Sequence, residues 1–397
     1  MPRANAFINK ETLSYICTHI GITTAFIARR MRVSEDIISK WLVIKDDTIP
    51  TINQAKALAN VLKIPFAGLY MNKENINLKH LPNLRNLRTM PDSEKIDDSA
   101  LNLALMDLIR TRDFLMEAEI DLGIETKALS LPSIVSSLGV KEYAKTIRSF
   151  FGLELEAQSK STSTRQFYLY VREKIESKGI FVHCFSGVEV EAVRGMAIFD
   201  GISPIIGINE KDRYPAKTFS IIHELVHIIK HESALCNDMY FSFSSQNEEV
   251  FCNAVAGEVL VPEASLVAYM NTHDITKISF NDINTISERY RVSKEVIARR
   301  LYDTGYFKKD EYDKVANEIQ QSFHKEREAA KQARTEAGEQ GIPRNMSREA
   351  IDKTSASVCR LLLIGYGEGY FSKQDISGLL GVKEKHITKF LSEVTRW

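Results

Sequence analysis

From Thr23 to Leu42 the chain reads TTAFIARRMRVSEDIISKWL, with apolar side chains at Phe26, Ile27, Met31, Val33, Ile37, Ile38 and Trp41. Their spacing is helical on either side of a break at Arg32–Ser34, where Ser34 can cap a second helix, so the pattern predicts helix, short turn, helix. A further helix follows Pro50 over Asn53–Leu62, and Phe66–Tyr70 closes that core. From Lys73 to Asp98 the text turns polar and is punctuated by Pro82 and Pro91, which predicts a linker. Helical periodicity returns over Ala100–Leu122 and Lys141–Phe151, gives way to the polar stretch QSKSTSTRQ, and resumes over Tyr168–Lys178 before Gly179.

Three short β-type runs come next, Ile180–Phe185, Arg194–Phe199 and Pro204–Asn209, separated by Gly187 and by Asp200-Gly201, the second a hairpin signal. Lys217–Ile229 is then a helix that is apolar nearly all round, and NEEVFCNAVAGEVLVP gives another that ends before Pro262. Beyond it FNDINTISERYRVSKEVIARRLY, residues 280–302, again reads helix, turn, helix. Residues 307–345 predict a charged, solvated helix with a flexible end at Gly338–Pro343, and 348–396 a last helical unit containing LLGVKEKHITKFL. The expected fold is α+β, mostly α: a helix-turn-helix domain over 1–72, a linker over 73–98, a middle domain with a small sheet over 99–275, and a helical region over 276–397.

A length of 397 residues exceeds one ordinary core and predicts two or three domains. Hydrophobic residues at 44% and charged residues at 26% exclude disordered, collagen-like and coiled-coil classes. No apolar run approaches the ~20 residues of a membrane span and the start lacks the apolar stretch of a signal peptide, so a cytoplasmic protein without membrane partners is expected. Five scattered cysteines with no CxxC spacing suggest neither a disulfide framework nor a Cys-rich zinc site. Net charge is zero, but residues 1–90 carry 13 Lys+Arg against 6 Asp+Glu, a surplus of +7 that the rest of the chain cancels. A basic end on an acidic body predicts an anionic partner for that end.

The chemistry concentrates in TFSIIHELVHII, where His223, Glu224 and His227 form HExxH. Four helical residues advance about 400° and about 6 Å, so both imidazoles leave one face and can reach one metal ion. Glu224 falls beside that ion, where it can take a proton from water as general base and return it to a leaving amine. The other positions of the helix are core residues, and a polar stripe without a task there would be costly. Two imidazoles and a carboxylate suit Zn2+, with Mn2+ or Fe2+ as alternatives. His231 continues the stripe but lies about 12 Å along the axis from His223, too far to share the ion. In the next helix Glu249, Asn253, Ala256 and Gly257 share one face, which makes Glu249 the expected third ligand and Asn253 a partner that holds an imidazole or the carboxylate. Glu248 is the alternative ligand, Glu258 is read as structural, and Cys252 as a packed thiol. Oxyanion donors remain open among Tyr240, His231, Tyr214 and Arg194.

The order RGMAIFD, PIIGINE, YPAKTFSIIHELVHIIKH and EEVFCNAVAGEVLVPE resembles the ImmA/IrrE family of metallopeptidases. The resemblance implies a zincin-like domain in which His223, His227 and Glu249 are metal ligands and Glu224 is the catalytic base. Cys252 and Gly257 stand where alanine is common. It also implies proteolysis of a regulatory protein, typically a repressor, in response to stress or mobile-element signals.

Residues 10–72, with VSEDIISKW and LANVLKIPFAGLY, resemble Cro/cI-type (XRE) helix-turn-helix domains, which family members often carry. A recognition helix Ser34–Leu42 is implied, with Ser34, Glu35, Asp36, Ser39 and Lys40 toward the bases and Arg29, Arg30, Arg32, Lys40 and Lys45 toward phosphates. Two acids at the leading edge depart from that pattern, since only a cytosine amino group rewards a carboxylate. Expected partners are thus DNA and a repressor substrate, with the last helical unit able to pair two copies or cover the catalytic cleft. Two other readings stand beside this one: a repressor or antitoxin-like protein whose metal site senses a signal, and a protease whose first domain docks another helix-turn-helix protein.

Overall fold

The computed structural model describes residues 4–76, 78, 97–124, 129–134, 138–199, 203–233, 240–241, 246–273, 275, 277–336 and 346–395. The chain divides into two compact units, residues 1–113 with 185–193, and residues 114–184 with 194–397. Most of the linker expected over 73–98, the Asp200-Gly201 turn and the Gly338–Pro343 segment lie outside the described residues.

The first unit opens with helices α1 (Lys10–Ile20), α2 (Thr24–Met31), α3 (Glu35–Leu42) and α4 (Ile52–Val61). Asn9 and Thr23 cap α1 and α2 through their side chains, and a Thr51/Gln54 capping box starts α4. Ser34 holds the extended N-cap backbone of α3, but its side chain makes no capping bond, contrary to the sequence expectation. Between α2 and α3 the turn is closed by Arg32 in the left-handed region at φ 56°. Leu13, Ile16, Ile27, Ile38, Trp41, Leu58 and Leu69 are buried and form the core. Lys10 donates to the carbonyls of Lys40, Val43 and Asp46 at 3.1, 3.3 and 2.6 Å, closing the C-terminal end of α3, where a cation meets the negative end of the helix. Helix α5 (Ser99–Asp121) leaves the first unit after Asp113.

In the second unit α6 (Val140–Phe151), α7 (Leu155–Lys160) and α8 (Thr164–Glu176) precede strands β1 (Phe181–Phe185), β2 (Gly195–Phe199) and β3 (Ile205–Asn209). The last three residues of α7, 158–160, fall in text read as a polar stretch. Gln158 is buried and donates to the carbonyls of Leu260 and Tyr290 at 2.9 and 2.5 Å, so tertiary partners replace the missing apolar face. Helix α9 (Tyr214–Ser233) follows, then the two-residue strand β4 (Tyr240–Phe241), which sequence patterning did not predict. The sheet runs β1-β3-β2-β4, with β2 antiparallel to β3 in the register Gly195 to Ile208 and antiparallel to β4. Helix α9 lies against β2 and β3 and also packs on α8 and α10 (Gln246–Leu260). Its Ile221, Ile222, Leu225, Val226, Ile228 and Ile229 are fully buried, which fixes the rotation of the helix and with it the direction of the histidines.

After α11 (Glu263–Thr272), α12 (Phe280–Tyr290) and α13 (Lys294–Asp303) make a second helix-turn-helix, again with a left-handed arginine, Arg291 at φ 54°, in its turn. The long α14 (Lys309–Glu336) leads to α15 (Met346–Lys353), α16 (Ala356–Gly367), α17 (Lys373–Leu380) and α18 (Ile387–Val394), which enclose a core of Ile351, Leu362, Ile376 and Phe390. Buried Arg172 of α8 ties this group down, donating to the carbonyls of Asp352 at 2.7 Å and of Ile351 and Thr354 at 3.3 Å. Among the described residues no single helix is long and apolar enough to cross a membrane.

Candidate metal centre

Helices α9 and α10 pack side by side and bring His223, His227 and Glu249 together. His223 Nε2 lies 3.1 Å from His227 Nε2 and 3.1 Å from Glu249 Oε2, and His227 Nε2 lies 3.3 Å from Glu249 Oε1. Zinc with bonds of about 2.0–2.1 Å sets neighbouring ligand atoms of a tetrahedron about 3.3–3.4 Å apart, close to the separations of the two imidazole nitrogens from each other and of each from one carboxylate oxygen, so the three side chains have the spacing of one metal's ligands. Lone pairs turned on one another at such distances repel unless a cation or a proton sits among them. Burial works against protonating His223, yet the hydrogen bond to Glu249, the charges of Glu224 and Glu249 and the bond to Asn253 outweigh it and raise its pKa. The triad therefore favours a positive charge at its centre and fits a divalent metal.

His227 is fully buried and Glu249 is partly open, so the centre has a closed and an open side. Asn253, one turn past Glu249, reaches His223. On the far ring nitrogen of His227 stand Cys252 Sγ at 3.6 Å and Glu248 Oε1 at 3.7 Å. Glu248 thus sits behind the first row, 3.6 Å from Lys230 Nζ, and not among the three converging atoms. Burial pushes the Cys252 thiol far up, so it stays protonated and apolar in character, as its packing role requires.

Glu224 is buried, and space for it comes from a residue that sequence reasoning passed over. A Cβ at Gly195, the first residue of β2, would fall 2.8 Å from Glu224 Oε1 and 3.1 Å from its Cγ. The glycine of RGMAIFD was the available signal, since a glycine inside a strand marks a close approach. Of the open oxyanion candidates, Tyr214 donates to Asp352 at 3.2 Å and Arg194 pairs with Asp212 at 3.0 Å, so both are engaged away from the triad. The side chains of Tyr240 and His231 lie outside the described residues. Glu258, read as structural, accepts from the Glu263 amide at 3.0 Å and pairs with buried Arg300 of α13, whose Nε also donates to the Val261 carbonyl at 3.0 Å.

The residues expected to meet DNA are dispersed over α2, α3 and the turn after it. Arg29 pairs with Asp97 at 3.2 Å, Arg30 donates to the Gly187 carbonyl at 2.9 Å, and Lys40 pairs with Asp36 at 2.7 Å. Glu35 accepts from Thr24 at 2.5 Å, while Arg32, Ser34, Ser39 and Lys45 are exposed.

A paired-histidine helix, a buried acid beside it and a carboxylate from the next helix are the parts of a metal-dependent peptidase. Residues 175–302 match the model of a peptidase family, IrrE N-terminal-like domain (Peptidase_M78), which supports the ImmA/IrrE reading for this part of the chain. The matched stretch runs from the end of α8 into α13 and so includes the second helix-turn-helix. No curated protein and no solved structure matches the chain.

Proposed function

We propose that this chain is a metal-dependent endopeptidase of the ImmA/IrrE type that hydrolyses a regulatory protein, a repressor by family resemblance, while its N-terminal helix-turn-helix reads DNA. The observation that carries the proposal is the convergence of the His223, His227 and Glu249 side chains, with imidazole and carboxylate atoms 3.1–3.3 Å apart, beside a buried Glu224. Those three side chains would hold the metal, zinc by the donor set, with manganese or iron as alternatives. When bound, such a metal polarises the scissile carbonyl and makes water acidic enough to attack near neutral pH. Glu224, next to His223 on the helix and seated over Gly195, takes the proton from that water and carries it to the leaving amine. Asn253 fixes the His223 ring, and the closed side at His227 keeps bulk water from that half of the site.

Elemental analysis of the full chain, with cleavage of repressors encoded beside it, tests this reading. Glu249→Ala should lose the metal, whereas Glu224→Gln should keep it and lose about 10²–10⁴-fold in cleavage, the usual contribution of a general base. Retained regulation in Glu224→Gln would overturn catalysis in favour of a metal-sensing repressor. A second reading rests on a specific observation: acidic Glu35 and Asp36 lead α3, and Val43 and Ile44 just past its end are 53% and 67% exposed. That surface suits a protein as well as a phosphate backbone, and binding that does not weaken with salt would assign it to protein docking.

A further inference from the structure

A third helix-turn-helix lies at the C-terminal end of the second unit, and its outward face differs from the other two. A left-handed residue closes each turn: Arg32, Arg291 and Gly381, at φ 56°, 54° and 61°. Six residues past it stands a buried isoleucine in every case, Ile38, Ile297 and Ile387, and nine past it another buried side chain, Trp41, Arg300 and Phe390. The same three-point frame thus orients the second helix of each unit, so corresponding outward positions can be compared residue by residue.

In the middle unit Ser293 and Lys294 are half-buried, Glu295 is exposed, Ala298 is buried, and the exposed Arg299 pairs with Asp303 at 2.9 Å, while Arg300 is committed to Glu258 and Val261 of the peptidase helix and its end. In the first unit the positions two, three, four, seven and eight past the turn are Ser34, Glu35, Asp36, Ser39 and Lys40, and its one cation is paired with Asp36. The last unit has Lys383, Glu384, Lys385, Thr388 and Lys389 at those places, all exposed. Lys383 and Lys385 have no carboxylate partner among the described residues, and Lys389 meets Glu393 only at 3.8 Å on the surface, an arrangement worth little. Position for position, one acid and one serine, Asp36 and Ser34, are exchanged for Lys385 and Lys383, while Glu35 is matched by Glu384 and Lys40 by Lys389, on a face that would enter a major groove.

We infer that residues 373–394 form a DNA-binding surface, with Lys383, Lys385 and Lys389 contacting duplex phosphates and Thr388 facing base edges. This site is separate from the peptidase centre and from the first unit, and it gives the chain a basic reader in the half whose summed charge is acidic. A protein partner is the competing occupant, and the salt dependence separates the two.

The test uses the full-length protein and a labelled random-sequence DNA duplex of about three helical turns, followed by fluorescence anisotropy across a salt series. Each neutralised phosphate contributes about 0.9 to the slope of log affinity against log salt. Lys383→Glu/Lys385→Glu/Lys389→Glu should weaken binding more than tenfold and flatten the slope by two to three, with unchanged metal content. Arg32→Glu/Lys45→Glu should retain that part of the slope. The triple Lys→Gln variant, which places no new acids on the surface, should also flatten it, and thermal melting of both variants should match the parent. Duplex affinity and slope that survive both triple substitutions, or a parent protein that does not bind duplex, would overturn the inference.

Discussion

The α2–α3 pair carries RMRVSEDIISKW and the α12–α13 pair RYRVSKEVIARR, and the residue nine past each turn separates their uses. In the first it is Trp41, whose ring closes the core of its own unit; in the second it is Arg300, equally buried, whose guanidinium leaves the pair to hold Glu258 and the Val261 carbonyl. Helix α10, which carries Glu258, also carries Glu249. One position in a shared motif therefore decides whether its side chain closes the motif's own core or braces the helix that carries Glu249. The local pattern specifies the helix-turn-helix; a single buried side chain specifies what it is attached to.

Breaking each side of that comparison gives the largest effects. Arg300→Ala leaves the buried Glu258 carboxylate without its cation, a loss of about 3–5 kcal/mol, and frees the end of α10. Melting temperature should fall and bound metal with it, measured on the same preparation. Trp41→Ala costs a similar 3–5 kcal/mol by cavity formation in the first unit, yet the second unit should keep its metal and its own melting transition. Loss of metal in Trp41→Ala, or full metal in a folded Arg300→Ala protein, would remove the distinction.

The attachment of the C-terminal helices sharpens the comparison, because it too uses a buried arginine but sets beside it a carboxylate that is poorly compensated. Burial pushes Glu176 up to about 7, against the opposing effects of Arg172, the Ser355 hydroxyl and the Val182 amide. The folded state thus binds this proton more tightly than the unfolded chain, so the group's contribution is greatest below its ordinary value of 4.5 and is lost as pH rises to about 7. A shift of that size corresponds to about 3 kcal/mol. Urea unfolding should show the parent losing that much relative to Glu176→Gln between those two pH values; parallel curves would mean that Glu176 is ionised at little cost.

Much of this was legible beforehand. The spacing of His223 and His227 fixed their common face, whereas Gly257, grouped with Glu249 on one face of α10, turns its open side to Arg300 of α13. The left-handed turns, α7 and β4 were not legible, for different reasons. Helix α7 lacks an apolar stripe because Gln158 serves tertiary carbonyls, and β4 is only two residues long, too short for any periodicity. Gly195 was visible as a letter but not as a need, since its partner Glu224 arrives from a helix far along the chain. Arg300 carried no signal of its own, because composition cannot show that it pairs with Glu258, 42 residues earlier.

The smallest effect bears on the turns the two units share. Arg32 and Arg291 occupy the left-handed region, where a β-carbon meets the following carbonyl and costs roughly 1–2 kcal/mol that glycine does not incur. Part of that gain is returned through the greater freedom of glycine in the unfolded chain, so Arg32→Gly should stabilise its unit by about 1 kcal/mol. At Arg291, which is half-buried, the stem of the side chain also loses its packing and the gain should be smaller. Gly381 already occupies the equivalent place in the third unit, so the same experiment run backwards, Gly381→Arg, should cost about 1 kcal/mol there. A thermal melt that shows gains at Arg32 and a loss at Gly381 establishes one turn geometry in three settings; a loss at Arg32 would mean that its side chain, and not the backbone, holds that turn.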